Sequence, residues 1–127
     1  AAALADRREV LEAYLFGSSA TGRRQPHSDV DVAVYLDERR GDAGPYGERA
    51  ELTAHLMAAL GVNDVDLVVL NHAPPLLYHR VLRDGVRVLS RDLRATTARE
   101  GRALSRYCDF VPQLAKIDAV LRGGSGP

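Results

Sequence analysis

The sequence contains a single cysteine, Cys108, and no tryptophan. One cysteine excludes an internal disulfide and a metal site built from several thiolates, and it is typical of proteins from a reducing compartment. Acidic and basic residues are equal in number, 17 each, so no overall charge attracts nucleic acid or an anionic membrane surface. No apolar run approaches the length of a membrane span, and the start does not resemble a signal peptide. We therefore expect a cytoplasmic protein that acts neither on a membrane nor directly on DNA.

Several common catalytic motifs are also missing. The chain has no Walker lysine loop, no Gly-x-Gly-x-x-Gly fingerprint and no Gly-x-Ser-x-Gly nucleophile elbow. The four histidines, His27, His55, His72 and His79, show no metal-binding spacing such as His-x-x-x-His. We interpret the last three as ordinary helix and loop residues.

The most informative stretch runs from residue 13 to residue 36. Gly17 and Ser18 follow a short apolar run, and Asp29 and Asp31 stand one residue apart among valines. Side chains alternate along a strand, so these two carboxylates point to one face, with Cα atoms about 7 Å apart. Carboxylates this close favour a cation between them, and oxygen ligands of this kind suit Mg²⁺. A Gly-Ser turn between a strand and a helix offers backbone N–H groups to phosphate.

A nucleoside triphosphate with its metal requires both features, and their combination favours a nucleotide site. The alternative is that Gly-Ser-Ser is an ordinary turn and that Asp29 and Asp31 lie on the solvated face of an edge strand. Arg23 and Arg24 are close to the turn in sequence. They either help to hold phosphate or are simply exposed.

Hydrophobic periodicity and turn residues predict an α/β domain, a small mixed sheet of about four strands flanked by helices. Strands are predicted over 14–16, 30–36, 62–70 and 86–89, and helices over 4–13, 18–23, 48–60, 76–83 and from 91 onwards. Pro112 is expected to bend or split the last element near Cys108. Residues 37–47, which are rich in breaker residues, are either a mobile flap near the nucleotide or a linker, and we favour the linker. One domain over 1–122 and a disordered tail over 123–127 complete the prediction.

The third predicted strand carries two acids, Asp64 and Asp66. An acid in an apolar strand is costly unless it is paired or bound to metal. Strand periodicity places both on one face and therefore does not choose between them.

The spacing of Gly17-Ser18, ten residues, then Asp29-x-Asp31 resembles the signature of the polymerase-beta-like nucleotidyltransferase superfamily, in its minimal nucleotidyltransferase (MNT) branch. The family's third carboxylate lies in a Val-Asp-Leu-Val context, which matches residues 65–68 and selects Asp66. The resemblance covers roughly residues 10–110 and implies the polymerase-beta-like fold. It implies ATP as substrate, one or two Mg²⁺ ions, and the following site: phosphate-binding Gly17 and Ser18 with Arg23 and Arg24 nearby, and metal-binding, catalytic Asp29, Asp31 and Asp66.

The resemblance also implies a partner. MNT proteins of this kind act as antitoxins beside a HEPN ribonuclease toxin and transfer AMP from ATP to a tyrosine of that toxin. The alternatives are a small-molecule nucleotidyltransferase completed by dimerisation or by another subunit, and a binding-only antitoxin with a degenerate site. Many family members carry arginine where this chain has Ser19 and Thr21, which keeps the last alternative open.

An apolar seam runs along the last predicted helices at three- and four-residue steps. It is either a docking face for the partner or part of the core. Its members are Leu104, Tyr107, Val111, Leu114 and Ile117.

Overall fold

The fold is a mixed four-stranded sheet with helices on both faces. The structure is a computed structural model that describes residues 2–16, 30–40, 44–62 and 64–123. Strands and helices follow in the order β1 (Val10–Phe16), β2 (Val30–Leu36), α1 (Gly44–Leu60), β3 (Val65–Val69), α2 (Pro75–Asp84), β4 (Val86–Ser90) and α3 (Leu93–Gly123). The strand order is β3-β2-β1-β4, with β2 and β3 parallel and the other pairs antiparallel. The predicted fold class is confirmed.

Alternation along β2 divides the protein into two apolar layers. Val30, Val32 and Val34 are buried on one face, where they pack with Leu52 and Leu56 of α1. The opposite face carries a smaller buried cluster that joins the central strands to α2 and α3. Its members are Tyr14, Ala33, Leu70, Tyr78, Val81 and Ala103.

The predicted N-terminal helix over 4–13 is wrong. A short 3-10 turn covers Ala2–Leu4, and β1 begins at Val10 rather than at residue 14. β1 is a central strand with partners on both sides, β2 and β4. Hydrogen bonding along two edges therefore outweighs the helical spacing of the apolar residues at this end of the chain.

Two other boundaries differ from the prediction. α1 begins at Gly44, inside the predicted linker, because a proline in the first turn of a helix loses no helical hydrogen bond. α3 is one helix from Leu93 to Gly123 with Pro112 inside it. Of the two predicted effects of Pro112, a split near Cys108 is therefore wrong, and a bend stays a prediction. A proline removes one backbone donor, and the turns on either side keep their own bonds. The predicted helix over 18–23 lies outside the described residues, as does the predicted tail except Gly123, which ends α3.

A layer of hydrogen-bonded polar side chains joins α3 to the sheet. The carboxylate of Glu12 is fully buried in β1, where it accepts hydrogen bonds from Thr96 (2.8 Å) and from the Arg99 guanidinium (2.7 Å). The Tyr14 hydroxyl donates to Glu100 (2.8 Å), and Arg99 lies 4.9 Å above the Tyr35 ring centroid. Burial of the charged Glu12 is tolerated because its oxygens are paired with donors from α3.

Although α3 is 31 residues long, no helix in the described ranges combines the length and the apolar character needed to cross a membrane.

Tyr14 and Tyr78 provide a matched test of the polar layer. Burial raises the pKa of both hydroxyls, and the hydrogen bond to Glu100 raises that of Tyr14 further. The Tyr78 hydroxyl is buried and has no hydrogen-bond partner among the described residues. We expect Tyr14→Phe to lower the free energy of unfolding by about 1.5 kcal/mol and Tyr78→Phe to leave it unchanged or raise it. Urea unfolding of both variants measures this, and a larger loss for Tyr78→Phe would contradict it.

Gly85 joins α2 to β4 at a point where the backbone leaves no room for a side chain. A Cβ there would lie 2.3 Å from the Val81 carbonyl oxygen and 3.0 Å from that of Leu15. We expect Gly85→Ala to cost about 1–3 kcal/mol of unfolding free energy. Gly101→Ala is the control, because no described atom outside the backbone of α3 and the neighbouring residues lies within 4 Å of its Cβ position. That change should stabilise the protein by about 0.5–1 kcal/mol, as measured by the same unfolding experiment.

Candidate active site

Two of the predicted acids face each other across the parallel strand pair. In the register of β2 and β3, Asp31 is the direct partner of Asp66. Neighbouring strands are about 4.8 Å apart, and directly paired residues of parallel strands point to the same face. The Asp31 and Asp66 side chains therefore leave the sheet together, on the face that α2 and α3 cover further along.

The two carboxylates differ in their exposure to solvent. Asp31 is half-buried, with Phe16 of β1 as its partner on the other side. Asp66 is exposed on β3, which is an edge strand of the sheet. A group that approaches the pair from solvent therefore reaches Asp66 most directly.

Asp64, the alternative third acid, lies just before β3. It is exposed, and its backbone carbonyl accepts a hydrogen bond from the Val30 N–H at 3.4 Å. β3 begins at Val65, so the strand register gives Asp64 no partner among the described residues. The geometry joins Asp66, rather than Asp64, to Asp31.

The other predicted site residues fall in a part of the chain that the structure does not describe. They are Gly17, Ser18, Arg23, Arg24 and Asp29. Their connection to the sheet is nevertheless fixed by sequence, since Gly17 follows Phe16, the last residue of β1, and Asp29 precedes Val30, the first residue of β2.

The Asp31–Asp66 pair fits a hard divalent cation. Mg²⁺ is commonly bound by one or two carboxylates together with substrate phosphates. Among the described residues, no group of three or more histidine, cysteine, aspartate or glutamate side chains is arranged to hold a metal. The described part of the site thus supplies two carboxylates. A Mg²⁺ ion bound by two carboxylates still has coordination positions for the oxygens of a polyphosphate.

Each described histidine makes a contact with a residue other than these two acids. His55 contacts the Ala3 carbonyl oxygen, and His72 is exposed near Glu38. His79 is half-buried and stacks on Tyr107, with ring centroids 3.6 Å apart.

Sequence analysis missed two residues that support the site. Asn71 donates to the Leu36 carbonyl and accepts from the Leu36 N–H, so its side chain continues the pairing of β2 beyond the end of β3. Glu12 was assigned to a helix, although it is the buried acid that holds α3. The available signal was an acid between apolar residues. It indicates a buried acid only after residues 10–16 are recognised as a strand.

Comparison with known proteins identifies relatives of the whole fold. A toxin–antitoxin pair with AMP-PNP contains a chain that is 30% identical, with 94% of each chain covered and a TM-score of 0.75. A chain from the complex of tri-AMPylated Shewanella oneidensis HEPN toxin with MNT antitoxin is 28% identical, covers 89% of this chain and 84% of its own length, and has a TM-score of 0.64.

A curated relative and a family model agree with these structures. Protein adenylyltransferase MntA of Aphanizomenon flos-aquae (strain 2012/KM1/D3) is 36% identical over a match that covers 56% of this chain. The match spans about half of that relative's length, 51%. The family model described as polymerase beta, nucleotidyltransferase matches residues 1–94, most of the chain. With its sheet order and its paired strand carboxylates, this chain belongs to the polymerase beta nucleotidyltransferase family.

Proposed function

We propose that this chain is an antitoxin that transfers AMP from ATP to a tyrosine hydroxyl of a HEPN-type ribonuclease toxin. The observation that carries the proposal is the parallel register that pairs Asp31 with Asp66 at the end of the sheet where β2 and β3 begin. The relatives support the substrates, since one is called a protein adenylyltransferase, one was solved with AMP-PNP, and one is in complex with a tri-AMPylated HEPN toxin.

Asp29, Asp31 and Asp66 are the proposed ligands of one or two Mg²⁺ ions. When bound, Mg²⁺ neutralises charge on the triphosphate and on the oxygens that attack and leave. Asp31 and Asp66 are suited to hold it because both are hard oxygen ligands on one face of adjacent strands. Their mutual repulsion also decreases when a cation lies between them.

Gly17, Ser18, Arg23 and Arg24 are the proposed phosphate-binding residues. Gly17 follows directly after Phe16, whose backbone pairs with Asp31, so the chain leaves β1 beside the acids. Backbone N–H groups after such a strand suit the β and γ phosphates, and arginine side chains add charge-assisted hydrogen bonds.

Asp66 is the proposed general base. Its exposure lets the acceptor hydroxyl approach from solvent, and its carboxylate takes the proton as the oxygen attacks. A bond forms between this oxygen and the α-phosphorus, the bond from the α-phosphorus to the bridging oxygen breaks, and pyrophosphate leaves. The tyrosine then carries AMP.

We place this activity in the cytoplasm. ATP is abundant there, and the exposed thiol of Cys108 stays reduced.

Asp66 and Asp64 give a matched test of the transfer reaction. We expect Asp66→Asn to lower the rate of AMP transfer from labelled ATP to the HEPN-type protein of the same genome by about 100-fold or more, because it removes a base and a metal ligand. Asp64→Asn removes the same charge two residues away and should leave the rate within about two-fold of the original. Label on the HEPN-type protein is quantified after gel separation.

The outcomes separate the hypotheses. Equal rates for Asp66→Asn and the unmodified protein would contradict the proposed role of Asp66. Inhibition of the ribonuclease that survives Asp31→Asn with Asp66→Asn, without any label, would favour binding-only neutralisation. Label on an added small molecule, with none on protein, would favour the small-molecule alternative.

The metal can be tested without any acceptor. We expect AMP-PNP with Mg²⁺ to raise the melting temperature, because a ligand at 100 times its Kd adds about 2.7 kcal/mol to the native state. Replacement of Mg²⁺ by EDTA, or the Asp66→Asn change, should remove most of this rise, whereas Asp64→Asn should not. A rise that is indifferent to EDTA would refute metal binding at the acids.

A further inference from the structure

α3 runs toward the end of the sheet where Asp31 and Asp66 lie. Its C-terminal half, residues 104–122 and here called the outer half, is therefore at that end. Thr96 bonds to Glu12, and one turn later Glu100 bonds to Tyr14. From Glu12 through Tyr14, β1 continues to Phe16, so α3 and β1 run in the same direction. Because Phe16 is the partner of Asp31, this direction leads to the acid end of the sheet.

α3 continues well beyond the sheet at this end. Leu104 lines a groove together with Gly85, and a Cβ added to Gly85 would lie within 3.4 Å of atoms of both Leu15 and Phe16, the last two residues of β1. With a rise of about 1.5 Å per residue, Leu121 lies about 25 Å further along the helix axis. No residue from 104 to 122 is buried, although Tyr107 is half-buried where it stacks on His79 of α2.

The outer half nevertheless keeps the apolar face of the inner half. Thr96 and Ala103 are buried against the sheet, and apolar residues follow at three- and four-residue steps along the same side. Val111, Ile117 and Leu121 of this side are 41%, 50% and 81% exposed. We name this surface the outer stripe and define it as Tyr107, Val111, Leu114, Ile117 and Leu121.

The charges around the outer stripe favour a partner of the opposite sign. Between residues 102 and 122, α3 carries four basic and two acidic side chains. The basic ones are Arg102, Arg106, Lys116 and Arg122, and the acidic ones are Asp109 and Asp118. The net charge of +2 would oppose a second copy of the same surface and would attract an acidic one.

We propose that the outer stripe binds an amphipathic helix with acidic flanks that belongs to the protein whose hydroxyl receives AMP. The proposal rests on the proposed function, because it is the acceptor that must meet the exposed Asp66 at this end of the sheet. An apolar helix face takes a facing helix at three- and four-residue spacing. Docking on the outer stripe holds the acceptor at the end of the sheet where Asp31 and Asp66 lie. These acids are not part of the stripe, so docking does not cover them.

Leu121 and Val120 offer a matched test, since both are exposed apolar residues, 81% and 72%, about 100° apart around the helix. We expect Leu121→Arg, and likewise Ile117→Arg, to weaken binding of the HEPN-type protein by on the order of 10-fold or more. Val120→Arg adds the same charge off the stripe and should change the affinity by less than about two-fold. Calorimetry without ATP measures the affinity, and melting with Mg²⁺ and AMP-PNP checks that the nucleotide site is intact.

The results test docking on the outer stripe and the proposed AMP transfer separately. Weaker binding for Leu121→Arg and Ile117→Arg with normal binding for Val120→Arg supports docking on the outer stripe. Equal affinities for all variants overturn it, as does a self-association of the unmodified protein that Leu121→Arg abolishes while binding of the HEPN-type protein is unchanged. Stripe-dependent binding without AMP transfer would overturn the proposed chemistry and leave the docking surface standing.

Discussion

The register between β2 and β3 is the constraint on which the site depends. Asp31 faces Asp66 because these parallel strands pair residue for residue, from Val30 with Val65 onwards. A slip of one residue would turn every side chain of β3 to the opposite face and would send Asp66 into the apolar layer against α1. The buried sides of Val32 and Leu67 oppose such a slip. The apolar layer on one face therefore determines the spacing of the acids on the other.

The buried Glu12–Arg99 pair plays a comparable part for α3. A buried ion pair is weak evidence for stability, because desolvation offsets much of the attraction. Its geometry is specific, however: the Arg99 guanidinium binds both Glu12 oxygens and lies over the Tyr35 ring. A slide of α3 along the sheet would leave the Glu12 carboxylate buried and unpaired. The pair thus fixes the axis of the helix and, with it, the place where its outer half leaves the sheet.

Sequence alone predicted the parts of the fold with strong local signals. The alternation of valine with aspartate in residues 30–36 identified β2 and its two faces, and the apolar residues of 48–60 identified most of α1. The predicted β1 was shorter than the observed strand. β1 is central, its two strand partners are distant in sequence, and local periodicity contains no information about them. The continuity of α3 through Pro112 was missed for a related reason, since a breaker residue weakens a helix without ending it.

The candidate site was predictable in part. The residue types and the spacing of the acids suggested a metal and a triphosphate, but alternation left Asp64 and Asp66 equivalent, and the family resemblance was needed to choose. The structure distinguishes them by register, a property of two strands together that one strand's sequence does not contain. The apolar seam was likewise ambiguous between core and docking face. Exposure of Leu104, Val111 and Ile117 excludes the core for these residues, a result that depends on where the sheet ends beneath α3.

The proposed base, Asp66, is exposed on the edge strand β3, and this has a chemical consequence. Water reaches Asp66 as readily as a tyrosine hydroxyl does, and at far higher concentration. A site exposed to solvent would therefore hydrolyse ATP. Transfer to a protein requires that the acceptor exclude water and hold its oxygen in line with the leaving group. The described residues supply one wall of such a site. A helix docked along the outer stripe would supply another, so that binding the partner and completing the site become a single event. Selectivity for the acceptor would then arise from the length of α3 rather than from the acids themselves.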